Sequence, residues 1–194
     1  MSPLSGSSQL LPVQRTWAAG ETPSEGELDL NIRDAVNFLL SPPRVSLALG
    51  SPPDIQVGPP TVQVLAWDTE YIDTDDMWDP SDPTKVHFNT PGLYVVRAYL
   101  RYPYTAPSGV TYQLGIGRNT GGMWSSMATA PSRIAEDTRP ASKDVNRSTS
   151  LWVSTTYPFQ AGDYIEIFTA QTTANSYGPQ ATLNGVDARW VALS

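Results

Sequence analysis

Short alternating segments dominate the chain from residue 61 onward and constrain its fold more than any other feature. Apolar residues alternate with polar ones, or form short apolar runs, over 61–67, 84–89, 92–102, 110–118, 148–156, 163–170 and 185–193. Turn-forming sequences such as NTPG, YTAPSG and FQAGD separate these segments, and no helical periodicity intervenes. Such a series predicts an all-β protein, built as an antiparallel β-sandwich or jelly roll.

One amphipathic helix is predicted ahead of the strands, over about residues 24–40. Ser24 and Glu27 have the spacing of a capping box, which satisfies two backbone N–H groups at a helix start. Pro42 and Pro43 end the helix, because proline lacks the N–H and clashes with the preceding turn. Its apolar face recurs every three or four positions and is formed by Leu28, Ile32, Ala35 and Leu39, widened by Val36 and Leu40.

A helix of this length is marginal alone in water, so its apolar face must pack on something. Two alternatives are open: the chain's own domain, or symmetry mates or another protein. Pro-Pro pairs at 42–43, 52–53 and 59–60 predict a semi-rigid, extended connector over 41–60, which favours the second alternative. The predicted division is therefore an attachment segment, 1–60, followed by a head domain, 61–194.

Composition and charge exclude several classes of function. The net charge is −7 and no basic stripe is present, so no nucleic-acid partner is expected. Cysteine is absent, which excludes disulfides and thiolate metal sites. The first residues do not have the pattern of a signal peptide, and no apolar run approaches the roughly 20 residues that span a bilayer. We therefore expect neither an export signal nor insertion into a membrane.

No set of residues suited to catalysis is visible. His87 is the single histidine, so a His-based metal triad and a Cys–His nucleophile are excluded within one chain. No serine lies in a G-x-S-x-G context. We predict no catalytic residues and no cofactor, and we expect the protein not to be an enzyme.

An acidic stretch at 67–82 contains the single metal-site candidate. Carboxylates on a flexible loop suit Ca²⁺, which makes Asp73, Asp75 and Asp76 weak candidate ligands. They do not follow the D-x-D-x-D-G spacing of a calcium loop, so a solvated acidic loop is the favoured interpretation. A second polar stretch, 125–147, is predicted to be a long loop.

Tryptophan and tyrosine are abundant, with 6 Trp and 9 Tyr against 4 Phe. Both side chains have an apolar body and a polar tip, which suits interfaces. Trp124 and Tyr177 are candidates for an exposed ligand surface that stacks on sugar rings, with core or subunit packing as the alternative. Trp67, Trp152 and Trp190 lie in strand patterns, so we expect them to pack.

The stretch TWAAGETPSEGELDLNIRDAVNFLLSPP, residues 16–43, combines W-x-x-G-E with a later L-N-I-R-D and N-F-L. It resembles an N-terminal segment common in minor tail and tail-fibre proteins of tailed bacteriophages that infect actinobacteria. The resemblance is carried by Trp17, Gly20, Glu21, Leu30, Asn31, Ile32, Arg33, Asp34, Asn37, Phe38 and Leu39. It implies an attachment or assembly segment, in which we expect Trp17 and Phe38 to be aromatic anchors beside the apolar helix face.

The stretch DMWDPSDPTKVHFNTPGLYVVRAYLRY has an aromatic-Asp pair followed by Phe, Pro-x-Gly and Tyr at short spacings. It resembles the central motif of trimeric jelly rolls of the complement-globular-head and tumour-necrosis-factor type. The matching residues are Trp78, Asp79, Phe88, Pro91, Gly92 and Tyr94, with Gly162, Asp163 and Ile165 in the later FQAGDYIEIF. The resemblance implies a jelly-roll head that assembles as a homotrimer.

Together the two resemblances imply a structural protein of a virion: a minor tail or tail-fibre component whose trimeric head contacts the host surface. The expected partners are two further copies of the chain, other virion proteins through the N-terminal segment, and a host cell-surface glycan. A capsid-surface decoration protein or head fibre is the first alternative. A hydrolase of cell-wall polysaccharide, and a stabilising role without a ligand, are further alternatives.

Overall fold

The computed structural model describes residues 16, 18–51, 62–102, 109–121, 132–142, 147–172 and 183–193. Within these ranges the helical elements are α1 (Glu25–Leu28), a π-helical turn (Asp29–Arg33) and α2 (Asp34–Leu40). The strands are β1 (Arg44–Ala48), β2 (Val62–Val64), β3 (Thr69–Asp73), β4 (Lys85–Phe88), β5 (Gly92–Tyr102), β6 (Thr111–Arg118), β7 (Arg133–Pro140), β8 (Thr149–Phe159), β9 (Asp163–Gln171) and β10 (Asn184–Ala192). No helix in these ranges is long and apolar enough to cross a membrane.

The helix begins where its capping box predicts. The Ser24 side chain accepts a hydrogen bond from the Glu27 backbone N–H, and the Glu27 carboxylate accepts one from Ser24 N at 2.8 Å. The π-helical turn then adds a residue to one turn, which rotates α2 relative to α1. Arg33 and Asp29 form an exposed ion pair across this turn, with 3.0 Å between Nη1 and Oδ2. The predicted helix is confirmed, but its apolar stripe is not straight.

The described strands form two antiparallel sheets, which confirms the all-β prediction. Sheet A has the order β3-β1-β10-β5-β8. Sheet B has the order β2-β9-β6-β7. On the same side of β9 as β2, β4 also pairs with this strand: β4 pairs with residues 163–166 and β2 with residues 168–170. Strands that are distant in sequence lie side by side in both sheets, as crossover connections between two packed layers require.

The core between the sheets is rich in aromatic rings. Phe88 stacks on Phe159 with ring centroids 3.7 Å apart, and Tyr102 stacks on Tyr112 at 3.9 Å. Trp67 is also buried, as its strand pattern predicts. These rings come from β4, β5, β6, β8 and the segment before β3, so the core joins both sheets into one body.

The predicted connector over 41–60 is wrong in its central part, because Arg44–Ala48 form β1. This strand lies between β3 and β10, and Val45 and Leu47 are fully buried in the core. The Pro-Pro pairs at 42–43 and 52–53 flank the strand rather than interrupt it, so proline does not prevent its pairing. The sheets therefore include residues that precede the predicted start of the head domain at 61.

Two further strands arise where the sequence suggested loops. β7 lies inside the predicted loop 125–147 and pairs with β6 along its length. It is an edge strand with mostly exposed or half-buried side chains, so no apolar alternation marks it. β3 lies in the acidic stretch at the edge of sheet A, where the same explanation applies.

Candidate functional site

The helical segment presents large apolar side chains that the rest of the described chain does not cover. Ile32 is 54% exposed and Leu39 is 70% exposed, and no residue of α1 is buried. Leu28, Val36 and Leu40 are exposed as well, and Ala35 is half-buried. We call the exposed residues Leu28, Ile32, Val36, Leu39 and Leu40 the helix face.

Phe38, expected to anchor another protein, packs instead on its own head domain. Its ring meets the Trp190 ring edge-on with centroids 4.8 Å apart, and the backbone N–H of Trp190 donates to Pro43 O at 2.9 Å. The Trp190 ring in turn covers the backbone at Gly92, where any Cβ would lie within 2.1 Å of its Nε1. Phe38 thus fixes the end of the helix to β10. Trp17, the other expected anchor, lies outside the described residues.

The acidic segment is an ordered turn held by its own carboxylates. Asp73 is the last residue of β3, and its carboxylate accepts hydrogen bonds from the backbone N–H groups of Asp75, Met77 and Trp78, at 3.2, 3.0 and 2.8 Å. Asn89 Nδ2 donates to the Asp75 carbonyl oxygen at 2.7 Å. The carboxylate of Asp73 therefore caps the turn.

The candidate Ca²⁺ site at Asp73, Asp75 and Asp76 is not formed. The structure describes 68–82 throughout, and no three acidic or histidine side chains there converge on a point where a metal could bind. The reason is the turn itself, since it commits the Asp73 oxygens to backbone donors and leaves Asp75 buried while Asp76 is exposed. Burial, together with the charges of Asp73 and Asp76, raises the pKa of nearby Glu70.

The outer face of sheet A, the side that points away from the core, carries an aromatic pair in which Trp152 is exposed and Tyr99 is half-buried. Trp152 on β8 is 55% exposed, contrary to the packing expected from its strand pattern. Its ring lies nearly parallel to that of Tyr99 on β5, with centroids 5.9 Å apart and planes at 21°. Val191 on β10 is exposed on the same face.

The same face contains a depression with three arginines, which we call the arginine pocket. Its volume is about 220 Å³, and it is lined by Arg44, Arg97, Arg189, Asp187, Val95 and Val191. Arg44 lies directly across from Arg189 in the β1–β10 pair, and Arg97 lies across from Asp187 in the β10–β5 pair. Asp187 Oδ1 is 3.5 Å from Arg44 Nη2, so the single carboxylate in the pocket pairs with only one of the three cations.

In sheet B, the Asp163 carboxylate at the start of β9 is bound by several hydrogen-bond donors. It accepts from Arg118 Nη2 at 2.9 and 3.0 Å, from Asn119 Nδ2 at 2.7 Å and from the Gln160 N–H at 2.8 Å. Burial alone would raise the pKa of this carboxyl, but the hydrogen bonds outweigh it and hold the pKa below its ordinary value. Asp163 belongs to the jelly-roll motif FQAGDYIEIF, which thus has a structural role here.

Sequence reasoning placed some of these residues and missed others. Trp124 and Tyr177, the candidate ligand surface, lie outside the described residues. The arginine pocket was missed, although strand alternation in GLYVVRAYLRY does put Arg97 and Tyr99 on one face. No sequence signal shows that β1 and β10 bring Arg44 and Arg189 beside Arg97.

No family model matches this chain, and no curated protein does. Solved structures do match. Murine APRIL, determined at pH 5.0, has a TM-score of 0.54 at 11% identity, covering 77% of this chain and 98% of that one. Eiger TNF from S. frugiperda has a TM-score of 0.49 at 11% identity, covering 78% and 93%. The globular domain of zebrafish complement 1qA protein has a TM-score of 0.46 at 14% identity, covering 78% and 99%.

At such low identity the match to APRIL bears on the fold alone. The predicted fold class is confirmed: the chain contains an antiparallel jelly roll like that of murine APRIL.

Proposed function

We propose that this protein is a homotrimeric structural component of a tailed-bacteriophage virion, with a jelly-roll head and an N-terminal attachment helix. The minor-tail or tail-fibre assignment is supported by the resemblance of residues 16–43 to the N-terminal segment of such proteins. The jelly-roll fold supports a head that binds other surfaces and has no catalytic role.

The observation that carries the attachment role is the helix face. Large apolar side chains are exposed in succession along one short helix, although the same helix is fixed to the head through Phe38 and Trp190. A contiguous exposed apolar patch beside polar surroundings is typical of a protein interaction site. We propose that other virion proteins cover the helix face and so hold the head on the particle.

Assembly as a trimer is supported by the outer face of sheet A. Trp152, Tyr99 and the arginine pocket combine the three residue types that are most enriched in protein interfaces. Burying this face between copies would remove the exposed Trp152 ring from water. At micromolar concentration we expect light scattering to give about three times the chain mass of 21.1 kDa. A protein that stays monomeric at this concentration would reject the trimer.

Location on the virion separates the leading proposal from its first alternative. We would label the protein on intact particles with antibody against the head and locate the label by electron microscopy. Label at the tail tip or fibres is expected. Label distributed over the capsid would replace this proposal with that of a decoration protein or head fibre, and no label would reject a virion role.

Contact with a host glycan is the proposed role of the head on the tail. The test is binding of the purified full chain to isolated cell walls of the host, with release of soluble sugar measured in parallel. Binding without release is expected. Release of sugar would favour the hydrolase alternative, and no binding would leave the head with a stabilising role alone.

A further inference from the structure

The arginine pocket contains more positive charge than its own chain neutralises. Like charges directly opposite each other in an antiparallel pair destabilise a sheet, yet Arg44 and Arg189 occupy such positions. Asp187 pairs with Arg44. Among the residues the structure describes, neither Arg97 nor Arg189 has a carboxylate within ion-pair distance. Three cations thus share one anion, in a chain whose net charge is −7.

The surroundings of the pocket are those of a protein interface. Val95 and Val191 are the apolar residues of its lining, and the Trp152–Tyr99 pair lies on the same outer face of sheet A. Covering this face would bury Arg97 and Arg189. An arginine that is buried without a partner charge is strongly destabilising, so whatever covers the face must bring an acidic group. A guanidinium group binds a planar carboxylate through two parallel hydrogen bonds.

We infer that an adjacent copy of this chain supplies that group, by placing a carboxylate between Arg97 and Arg189 in the arginine pocket. This inference rests on the proposed homotrimer and specifies how its subunits recognise one another. A contact between two different patches of the same chain is heterologous, and such contacts close into a ring when the rotation from one copy to the next closes. A ring of three would use each pocket once.

Charge complementarity on the chain favours a second copy over an unrelated partner. Glu70 and Asp76 at the edge of sheet A have no cation within ion-pair distance among the described residues, and burial, together with repulsion from Asp73 and Asp76, raises the pKa of Glu70. Glu136 and Asp137 on β7 are a second acidic pair, but Arg133 and Arg139 already bind them. Glu70 and Asp76 are therefore the first candidates for the incoming carboxylate.

The test is reversal of one charge in the full-length chain, Arg189→Glu, followed by a compensating reversal. Sedimentation equilibrium at several protein concentrations would measure the trimer. We expect Arg189→Glu to raise the trimer dissociation constant at least about 100-fold, the scale seen when one partner of a close interfacial charge pair is lost. Into the Arg189→Glu chain we would then introduce one compensating reversal at a time, first Glu70→Arg or Asp76→Arg, then Glu136→Arg or Asp137→Arg. The reversal at the residue that supplies the carboxylate should restore much of the trimer.

Lys85→Glu is the matched control. It makes the same change of charge on β4 in sheet B, where Lys85 pairs with Asp82 at 2.8 Å, and should leave the trimer intact. Circular dichroism would verify that each variant is folded, and Arg189→Gln serves as a milder variant if the glutamate prevents folding.

The possible outcomes separate failure of this inference from failure of the proposed trimer. A trimeric wild type whose Arg189 variants are equally trimeric would overturn the inference and leave the trimer standing. Weakened trimers that none of the four compensating reversals restores would also overturn it. So would a wild-type trimer that is strengthened by phosphate or sulfate at constant ionic strength, since a free anion would then fill the pocket. A monomeric wild type would instead reject the trimer itself.

Discussion

Asp163 shows how much of a residue's role its motif predicts. The resemblance of FQAGDYIEIF to the late jelly-roll motif singled out Gly162 and Asp163 but gave them no role. Gly162 has a φ of 89°, which favours glycine in the turn before β9. The partners of Asp163 were not predictable, because Arg118 and Asn119 reach it only through the pairing of β6 with β9.

Replacing Asp163 with asparagine should destabilise the fold in a pH-dependent way. At neutral pH the expected loss is about 1.5–3 kcal/mol in the free energy of unfolding, the range for hydrogen bonds to a charged group. The folded-state pKa lies below the unfolded-state value, near 3.8. The carboxylate's contribution is therefore present above that value and is lost as the pH falls through the folded-state pKa.

Urea unfolding at a series of pH values would measure this effect. The difference in the free energy of unfolding between wild type and Asp163→Asn should be largest at neutral pH and should decrease in the acid range. Asp76→Asn, a change at an exposed carboxylate of the acidic turn, is the control and should show no such difference. A difference that is constant with pH would mean that shape rather than charge matters at position 163.

Some strands were predictable from the sequence pattern and others were not. The positions of β2, β4, β5, β6, β8, β9 and β10 were predicted to within a few residues, because apolar residues alternate or run together along them. β3 and β7 lie at sheet edges with little apolar alternation, and β1 was hidden between Pro-Pro pairs. The π-helical turn left no trace in the periodicity either, because apolar residues continue at helical spacing through it.

β1 leads to a prediction about truncated chains. A chain that begins at residue 61 lacks the strand that pairs with both β3 and β10, and it removes Val45 and Leu47 from the core. Losing a buried large apolar side chain typically costs about 2–5 kcal/mol, and a domain's whole stability is about 5–15 kcal/mol. We expect this chain to aggregate or to melt without a cooperative transition.

A chain that begins at residue 42 is the matched control, since it lacks the helix but keeps β1. It should be rich in β-structure and melt cooperatively when followed by circular dichroism. Equal cooperative melting of both chains would show that β1 is dispensable. Failure of the chain from residue 42 would show that Phe38 and the helix belong to the folding unit of the head.

The molecule as a whole presents two exposed candidate interaction surfaces, one apolar and one that combines aromatic rings with arginines, and only the first was predictable. The helix face follows from residues close together in sequence, so its spacing alone revealed it. The outer face of sheet A depends on the register of strands far apart in sequence, which places Trp152 against Tyr99 and Arg44 against Arg189. Two different surfaces suit two different tasks, which we propose to be attachment to the virion and contact between subunits.

The proposed division of tasks predicts that the helix face can be disabled without harm to the head. We would introduce the double change Ile32→Ala and Leu39→Ala into the phage genome. Both side chains are more than half exposed, so the head should fold and assemble as in the wild type. If a virion protein buries them, each truncation should weaken attachment by about 2–5 kcal/mol, and each 1.4 kcal/mol is about tenfold in affinity.

The variant protein should therefore be present in infected cells but missing from purified particles, as measured by immunoblot against a capsid protein. Leu183→Ala with Leu193→Ala is the control, because it removes two exposed apolar side chains that flank β10 outside the helix. That control should be incorporated normally. Arg33 contributes little by comparison, since its ion pair with Asp29 is exposed and lies within the helix. Normal incorporation of the Ile32/Leu39 variant would place attachment on the head or the first residues of the chain, because the helix face would then be covered by nothing that the particle requires.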